Sequence, residues 1–336
     1  MTIYDIAKMT GVSIATVSRV LNGSDKVKPS TKKKIMDIIE ESGYSPNVFA
    51  RGLGLDSMNT VGILCADCSD IYLAKAVYYI EKALKEHGYS VLLACTGYDN
   101  EQRKLSMQML LRQKVDCVIL VGSSFVSTGE TGNEYITEAA ASVPVMLLNA
   151  DFDFPNVFCT LCDDFKSTMD ATTWLLNREK KDILYLYNSH SYSGIRKLSG
   201  YRSALLLKDL PINKEYEQFF DGSHEDIDGV CTFILKFKDE GLKFNSILCS
   251  DDMLALGAVK YAKLSGLSVP EDINIIGYNN SILTKACEPE LTSVDNHLEL
   301  QCNQLVKSCV SVLSKNETAQ KTIFSGEIVF RGTTSN

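Results

Sequence analysis

Two adjacent stretches decide the fold of the N-terminal region: Thr2-Ile3-Tyr4-Asp5-Ile6-Ala7 and Gly11-Val12-Ser13-Ile14-Ala15-Thr16-Val17-Ser18-Arg19-Val20-Leu21-Asn22. Thr2, with Asp5 three residues later, has the spacing of a helix capping box. Gly11 suits a turn that needs a positive φ, and Ser13 is a favoured N-cap for the helix that follows. The pattern therefore predicts two short helices joined by a tight turn.

The second of these helices is expected to have one buried face and one exposed face. Val17 and Val20 fall on the buried side, which leaves Ile14, Ala15 and Arg19 pointing outward. A helix-turn-helix places its second helix in the major groove of DNA. Arginine suits O6 and N7 of guanine, and small apolar side chains suit thymine methyl groups. We therefore predict that Ile14, Ala15 and Arg19 read bases.

The chain is acidic overall, but its N-terminal part is basic. The 336 residues carry a formal net charge of −8, whereas residues 1–51 hold eight Lys or Arg and five Asp or Glu. This part therefore carries +3 and the remainder −11. A basic module on an acidic body suits contact with DNA at one end only. Lys26, Lys28 and the run Lys32-Lys33-Lys34 are expected to face phosphates, with a merely solvated surface as the alternative for any single lysine.

The N-terminal region resembles the lactose-repressor/galactose-repressor (LacI/GalR) family of bacterial transcriptional regulators. The matching segments are Asp5-Ile6-Ala7, Gly11-Val12-Ser13, Thr16-Val17-Ser18-Arg19-Val20-Leu21-Asn22, Gly43-Tyr44-Ser45-Pro46-Asn47 and Ala50-Arg51-Gly52-Leu53. The resemblance covers the rest of the chain more loosely. It implies a regulator, most simply a repressor, that binds a pseudopalindromic operator as a homodimer.

The resemblance also implies roles for residues around the base-reading helix and in a hinge. The DNA-backbone and hinge residues are Thr2, Ser13, Thr16, Ser18, Asn22, Lys28, Asn47, Ala50 and Arg51. Leu53 matches the leucine that wedges into the minor groove and kinks the site. The alternative for Leu53 is a side chain that packs on the body beside an unstructured linker.

From residue 60 the pattern changes to alternating strands and helices, which predicts parallel sheets with helices on both faces. Two successive sets of such units imply two lobes with a cleft between them. The expected fold class is thus an α/β, two-lobed body preceded by a small all-α headpiece. The resemblance implies that the body is like periplasmic binding proteins, with three chain crossings between lobes. The expected divisions are a headpiece (1–44), a hinge helix or linker (45–58) and an effector-binding and dimerisation core (59–336), whose lobes are approximately 59–160 plus 291–322 and 161–290 plus 323–336.

Polar residues follow several predicted strands, at the edge of a parallel sheet where ligands bind. The candidates for binding a small polar effector are Asp70, Tyr72, Asn149, Arg196, Lys197, Ser250, Asp251 and Asn279. About half of them are expected to be structural, for example Asp251 as a helix cap. The pattern predicts a hydrogen-bonding pocket, with no cofactor and no bound metal.

Three of these candidates depart from the family pattern. Lys197 stands where most members have an arginine that grips the ligand, although Arg196 beside it could substitute. Ser250 stands where an asparagine is usual, and Asn279 where an aspartate is usual. Lysine lacks the bidentate fork of arginine. These changes leave three alternatives to an ordinary free sugar: a phosphorylated or anionic effector, a protein corepressor, or no effector.

The remaining features favour a regulator over other classes of protein. No catalytic motif is present, so the chain is not expected to be an enzyme. No apolar run could span a membrane and the N-terminus does not resemble a signal peptide, so a cytoplasmic protein is expected. No heptad tail follows the final strand, which favours a dimer over a tail-assembled tetramer. A cytosolic solute-binding or sensing protein is the alternative, but it would not need the headpiece.

The eleven cysteines are expected to be mostly small buried hydrophobic residues. Two C-x-x-C pairs occur, Cys65/Cys68 and Cys159/Cys162. Either pair could be a redox pair or a set of metal ligands, but no cluster of histidines accompanies them.

Overall fold

The structure is a computed structural model that describes residues 1–21, 24, 26–43, 57–129, 131–223 and 225–334. The chain divides into two compact units, Met1–Asn59 and Thr60–Asn336. Each unit has its own hydrophobic core. Within the described ranges, no helix combines the length and the hydropathy that a bilayer crossing requires.

The described part of the first unit contains three helices: α1 (Ile3–Thr10), α2 (Ile14–Leu21) and α3 (Pro29–Ser42). The predicted capping box at Thr2 is confirmed. The Thr2 amide donates to Oδ2 of Asp5 over 2.8 Å, and the Asp5 amide donates to Oγ1 of Thr2 over 3.4 Å. Gly11 ends α1 with a φ of +72°, a conformation that glycine adopts without strain. The helix-turn-helix thus begins and turns at the residues that the sequence indicated.

The core of the first unit fixes the rotation of α2 about its axis. Ile6 of α1, Val17 and Val20 of α2, and Ile35 of α3 are buried against one another. Because an α-helix has 3.6 residues per turn, burying Val17 and Val20 directs the opposite face of α2 outward.

Over its described residues, the second unit contains two six-stranded sheets. The first sheet has the order β11-β5-β4-β3-β1-β2, and all its neighbouring strands are parallel. Its strands are β1 (Thr60–Cys65), β2 (Ser90–Cys95), β3 (Cys117–Val121), β4 (Val145–Leu148), β5 (Val157–Cys162) and β11 (Lys321–Phe324). The strands β1, β3 and β4 are buried along their whole length, as expected for a sheet covered on both faces.

The second sheet has the order β12-β10-β9-β8-β6-β7. Its strands are β6 (Ile183–Tyr187), β7 (Glu217–Phe219), β8 (Ser246–Cys249), β9 (Asn274–Tyr278), β10 (Thr292–Asp295) and β12 (Glu327–Val329). The strand β12 is antiparallel to β10, whereas the other neighbours are parallel. The two sheets confirm the predicted α/β body with two lobes.

Helices cover both faces of each sheet. They are α4 (Ile71–Glu86), α5 (Asn100–Arg112), α6 (Glu134–Ala140), α7 (Asp164–Leu176), α8 (Tyr192–Leu206), α9 (Ile227–Asp239), α10 (Asp252–Leu264) and α11 (Leu298–Leu313). In the first lobe α4 packs with α11, and α5 packs with α6. In the second lobe α7 packs with α8, and α9 packs with α10. Each pair buries the apolar stripe of its helices against the sheet.

The chain crosses between the lobes three times: after β5, after β10 and after β11. The second and third crossings lie later than the sequence suggested. The short strand Thr292–Asp295 pairs with β9, so the chain leaves the second lobe after residue 295 and not at 291. Likewise, Lys321–Phe324 remains in the first sheet, which moves the third crossing beyond 324. Both strands have only four residues, too short for periodicity to assign them to a lobe.

Gly200 allows α7 and α8 to pack closely. A Cβ atom at this position would lie 2.2 Å from the carbonyl oxygen of Phe165 in α7. This contact involves backbone, so it can be relieved only if the helices separate.

We expect Gly200→Ala to lower the free energy of unfolding of the second unit by about 1–3 kcal/mol, because the added methyl group overpacks this contact. Alanine otherwise stabilises a helix by ~1 kcal/mol relative to glycine, so a loss would identify the steric cause. Urea unfolding followed by circular dichroism measures the change. Gly129→Ala is the control, because a Cβ atom there would have its nearest neighbour at 3.6 Å. An equal or higher stability of Gly200→Ala would contradict the packing argument.

Candidate nucleic-acid interface and ligand cleft

The outer face of α2 carries the three residues predicted to read bases. Ile14 is 41% exposed, although it is a large apolar side chain. Ala15 and Arg19 are also exposed, whereas Val17 is completely buried. The first unit therefore presents a compact patch, which we call the reading face, made of Ile14, Ala15 and Arg19. A guanidinium group beside two apolar side chains matches the chemistry of base edges in a major groove.

Hydroxyl groups lie at the start of the same helix. Oγ of Ser13 accepts from the Thr16 amide over 3.2 Å, and the hydroxyl groups of these two residues are 2.9 Å apart. Ser18 is half-buried on α2. Backbone amides and hydroxyl groups at a helix N-terminus are suitable donors to phosphate oxygens.

The basic residues of the first unit differ in what they contact. Lys28 is exposed immediately before α3. The Nζ atom of Lys34, by contrast, donates to the carbonyl oxygen of Thr10 over 3.0 Å, at the C-terminal end of α1. This lysine therefore stabilises the three-helix unit, because its positive charge lies at the negative, C-terminal end of the α1 dipole. The predicted DNA contacts at Asn22, Asn47, Ala50, Arg51 and Leu53 lie outside the described residues.

The second unit contains a cavity of about 350 Å³ that is lined by both lobes. Seven of the eight predicted effector residues line it: Asp70, Tyr72, Asn149, Lys197, Ser250, Asp251 and Asn279. They follow the ends of parallel strands or lie in the first two turns of the following helices. The structure thus brings together the groups that the strand-end rule selected.

Arg196 is the predicted residue that does not line the cavity. Its guanidinium group lies 3.6 Å from Oδ1 of Asp163 and 4.9 Å from the centre of the Phe165 ring. Successive residues on a helix point about 100° apart, so only one of Arg196 and Lys197 can face the cleft. Arg196 therefore does not replace the arginine that most members of the resembling family carry.

Lys197 is almost fully buried and bound by the protein itself. Its Nζ atom donates to the carbonyl oxygen of Ser250 over 2.9 Å and lies 3.7 Å from the centre of the Tyr278 ring. Burial lowers the pKa of Lys197, and the negative charge of Asp164 opposes this effect. Burial also raises the pKa of Asp164. The carboxylate of Asp164 accepts from the hydroxyl groups of Ser193 (2.5 Å) and Tyr278 (2.6 Å).

The acidic residues of the cleft also have internal partners. Asp70 and Asp251 cap α4 and α10, accepting from the amides of Leu73 and Leu254 over 2.8 Å each. The second carboxylate oxygen of Asp251 accepts from Nδ2 of Asn188 over 2.6 Å. The capping role expected for Asp251 is thus confirmed.

Two hydrogen-bonded groups join the lobes beside the cavity. Asn296, in the second crossing, donates to Oδ1 of Asn279 (3.1 Å) and to the hydroxyl oxygen of Tyr72 (3.4 Å). The hydroxyl groups of Ser123 and Ser191 lie 2.9 Å apart across the cleft. These contacts link α4 and the end of β3 in the first lobe to β9 and α8 in the second, so they depend on how far the lobes are closed.

Asn149 offers a free acceptor to a ligand. The residue is buried and lines the cavity, yet Oδ1 has no hydrogen-bond partner among the described residues. A buried carbonyl oxygen without a partner costs about 1–3 kcal/mol, which a donor on a ligand would recover.

Several lining residues were missed by the sequence reasoning: Tyr98, Ser123, Ser124, Ser191 and Ser193. The strand-end rule applies equally to β2 and β3. It selects Tyr98 after β2, and Ser123 with Ser124 after β3. His190, which lies shortly after β6, stacks on Phe219 with 4.4 Å between ring centres.

The geometry agrees with comparisons to known proteins. Residues 2–47 match the family of bacterial regulatory proteins described as lacI family, and residues 58–326 match the family of periplasmic binding proteins and sugar binding domain of the LacI family. An HTH-type transcriptional regulator of Lachnoclostridium phytofermentans is 45% identical over 100% of both chains. Catabolite control protein A of Priestia megaterium is 32% identical, covering 88% of this chain and 87% of that protein. In fold, the chain resembles a Lac repressor dimer bound to operator and the anti-inducer ONPF, with a TM-score of 0.87, 24% identity and 99% coverage of each chain.

Asp252 allows a test of how burial changes the ionisation of carboxyl groups in the cleft. Burial raises its pKa to about 6, although it accepts from Oγ of Ser293 (2.6 Å) and from the amide of Ser281 (2.7 Å). Because the folded state holds this proton more tightly than the unfolded state, ionisation of Asp252 destabilises the protein as the pH rises.

We expect the stability of the wild type relative to Asp252→Asn to fall by about 2 kcal/mol between pH 4.5 and 7 and to level off above pH 7. Urea unfolding at several pH values measures this difference, in which the titration of all other groups cancels. Asn substituted for Asp239, which is exposed at the end of α9, is the control. A difference that stays constant or grows with pH would refute the assigned effect of burial.

Proposed function

This chain belongs to the LacI family of DNA-binding transcriptional regulators, and we propose that it represses transcription as a homodimer controlled by an uncharged, polyhydroxylated effector. Proteins of this family are regulators and not enzymes. The first unit would contact operator DNA, and the cleft of the second unit would bind the effector. We place this activity in the cytoplasm, where operator DNA is found.

The reading face of α2 is the observation that carries the DNA-binding part of the proposal. Ile14, Ala15 and Arg19 are exposed on one side of a short helix whose other side is buried. An exposed isoleucine on so small a unit is accounted for if it is covered by a thymine methyl group. In this arrangement Arg19 makes a bidentate contact with guanine, while Ser13, Thr16, Ser18, Thr2 and Lys28 contact the DNA backbone.

A homodimer follows from the geometry of recognition by such a unit. One short helix covers only a few base pairs. When two copies bind half-sites one helical turn apart, their preferences for the operator over other sequences multiply. The structurally similar Lac repressor is a dimer on its operator. We therefore infer a pseudopalindromic operator, with the paired Leu53 side chains as minor-groove wedges at its centre.

The charges around the cavity favour an uncharged effector over an anionic one. Asp70, Asp251, Asp252 and Glu225 line the cavity, whereas its lining contains one cation, Lys197, among the described residues. The ammonium group of Lys197 already donates to Ser250. A phosphate group would thus meet carboxylates without a free cation to offset them. Sugar hydroxyl groups can donate to the carboxylates and to Oδ1 of Asn149, and accept from the many serine hydroxyl groups.

Control of DNA binding requires the effector to favour one degree of lobe closure. The contacts Ser123–Ser191 and Tyr72–Asn296–Asn279 join the lobes next to the cavity, so a ligand there changes their balance. A coupling free energy of about 1–3 kcal/mol between effector and DNA would change operator affinity roughly 5- to 150-fold. A solute-binding protein without DNA binding would leave the reading face without a role.

We expect Arg19→Ala to weaken binding to an operator selected from random-sequence DNA by about 1–3 kcal/mol, with little effect on non-specific DNA. The reason is the loss of two hydrogen bonds to a guanine. Titration by fluorescence anisotropy at fixed salt measures both affinities. Arg19→Lys keeps the charge but not the fork, so it should lose specificity almost as fully. Equal losses on both DNAs would show that Arg19 contacts only phosphate.

We expect free sugars to raise the melting temperature of the second unit. Their phosphate esters are expected to leave it unchanged. The comparison uses matched pairs, each a hexose or disaccharide and its monophosphate, in a thermal-shift screen. A ligand at one hundred times its Kd adds about 2.7 kcal/mol to the stability. Stabilisation by an ester but not by its parent sugar would overturn the assignment of an uncharged effector.

A further inference from the structure

Two cysteines meet close to residues that line the ligand cleft. Cys95 is the last residue of β2, and Cys68 lies in the loop between β1 and α4. Their sulfur atoms are 2.8 Å apart. Cys95 is exposed and Cys68 is half-buried, so small molecules can reach the pair. The C-x-x-C spacing pointed to Cys65 as the partner of Cys68, but Cys65 is buried within β1.

Backbone hydrogen bonds hold the two segments that carry these cysteines close together. The Thr96 amide donates to the carbonyl oxygen of Cys65, and the Gly97 amide to that of Ala66, each over 2.9 Å. A disulfide has an S–S distance of about 2.05 Å, so the sulfur atoms must approach by less than about 1 Å. Side-chain rotation can supply a movement of that size without breaking the backbone hydrogen bonds.

We propose that Cys68 and Cys95 form a reversible disulfide that fixes one wall of the ligand cleft. The oxidant is a low-molecular-weight disulfide. The Cys95 thiolate attacks one of its sulfur atoms and releases one thiolate, leaving a mixed disulfide on Cys95. The Cys68 thiolate then attacks the Cys95 sulfur and releases the second thiolate. Two protein thiols lose two electrons and two protons, and the small disulfide is reduced to two thiols.

The other cysteines are less suited to this chemistry. Burial raises the pKa of Cys65 far above its usual range, which keeps this thiol protonated and unreactive. In the second C-x-x-C pair, Cys159 contacts the backbone of Phe152, whereas Cys162 lies against Ser167. Residues three apart on a strand point to opposite faces, so these two sulfur atoms do not meet. The hydrogen bond with Cys68 raises the pKa of Cys95. Thiol–disulfide exchange at neutral pH is therefore slow, which is unsuited to rapid sensing of peroxide.

The disulfide would act on residues that line the cavity. Ser69 and Asp70 follow Cys68 directly, and Tyr98 lies three residues after Cys95. Joining the two loops restricts the movement of these side chains when the lobes open or close. The effect on effector binding rests on the function proposed above, whereas formation of the disulfide does not.

The test incubates the full-length protein with oxidised glutathione for several hours. Remaining thiols are then blocked under native conditions, and the disulfides are mapped by mass spectrometry. We expect a loss of about 2 Da in the intact chain and one cross-linked peptide pair that joins Cys68 to Cys95, reversed by dithiothreitol. Cys68→Ser and Cys95→Ser should each abolish the cross-link and leave a stable glutathione adduct on the remaining thiol of the pair. Cys65→Ser is the matched control and should leave the cross-link intact.

A cross-link between Cys65 and Cys68, a link between two chains, or no disulfide would overturn the proposal. A second measurement compares the operator affinity of the oxidised and reduced protein in the presence of an effector found by the thermal-shift screen. We expect a change of at least threefold that is absent in Cys95→Ser. If the cross-link forms and the operator affinity does not change, the disulfide has no regulatory role. Because the oxidised and the reduced protein would then both bind DNA, the proposed function would still stand.

Discussion

The arrangement of the first unit depends on one packing constraint, the burial of Val17 and Val20 of α2 against Ile6 of α1. The turn at Gly11 brings these side chains together, and the helical period then determines what lies on the other side of α2. Ile14, Ala15 and Arg19 are exposed as a consequence. The patch available to DNA is therefore determined by the core beneath it. A substitution in that core would rotate the reading face as well as destabilise the unit.

The cleft of the second unit follows from a different principle. Parallel strands place their carboxyl ends along one edge of each sheet, and the two lobes bring those edges together. Most of the polar side chains there are already hydrogen-bonded to the protein, as Lys197 is to Ser250 and Asp251 is to Asn188. Oδ1 of Asn149 is a buried exception. A ligand would thus meet a largely preorganised surface, and the main change on binding would be the degree of lobe closure.

The sequence predicted those features that depend on periodicity or on a turn residue. The capping box at Thr2, the turn at Gly11 and the outward face of α2 agree with the structure because they follow from local geometry. The candidate Arg196 could not be separated from Lys197 by sequence, because a shift of one residue on a helix decides which side chain faces the cleft. The lobe to which residues 292–295 belong depends on long-range pairing with β9, which a four-residue strand does not encode locally. The contact between Cys68 and Cys95 could not be predicted for the same reason, since these two residues are 27 positions apart in the sequence.

The most direct test of the account is a methylation-interference measurement on an operator selected from random-sequence DNA. Methylation of guanine N7 blocks the major-groove acceptor that Arg19 is expected to contact. The account predicts that one guanine in each half-site, symmetrically placed, abolishes binding by the wild type when it is methylated. It also predicts that the same modification has no further effect on Arg19→Ala. If no guanine interferes, or if Arg19→Ala stays fully sensitive to the same methyl groups, the reading face does not contact bases as described.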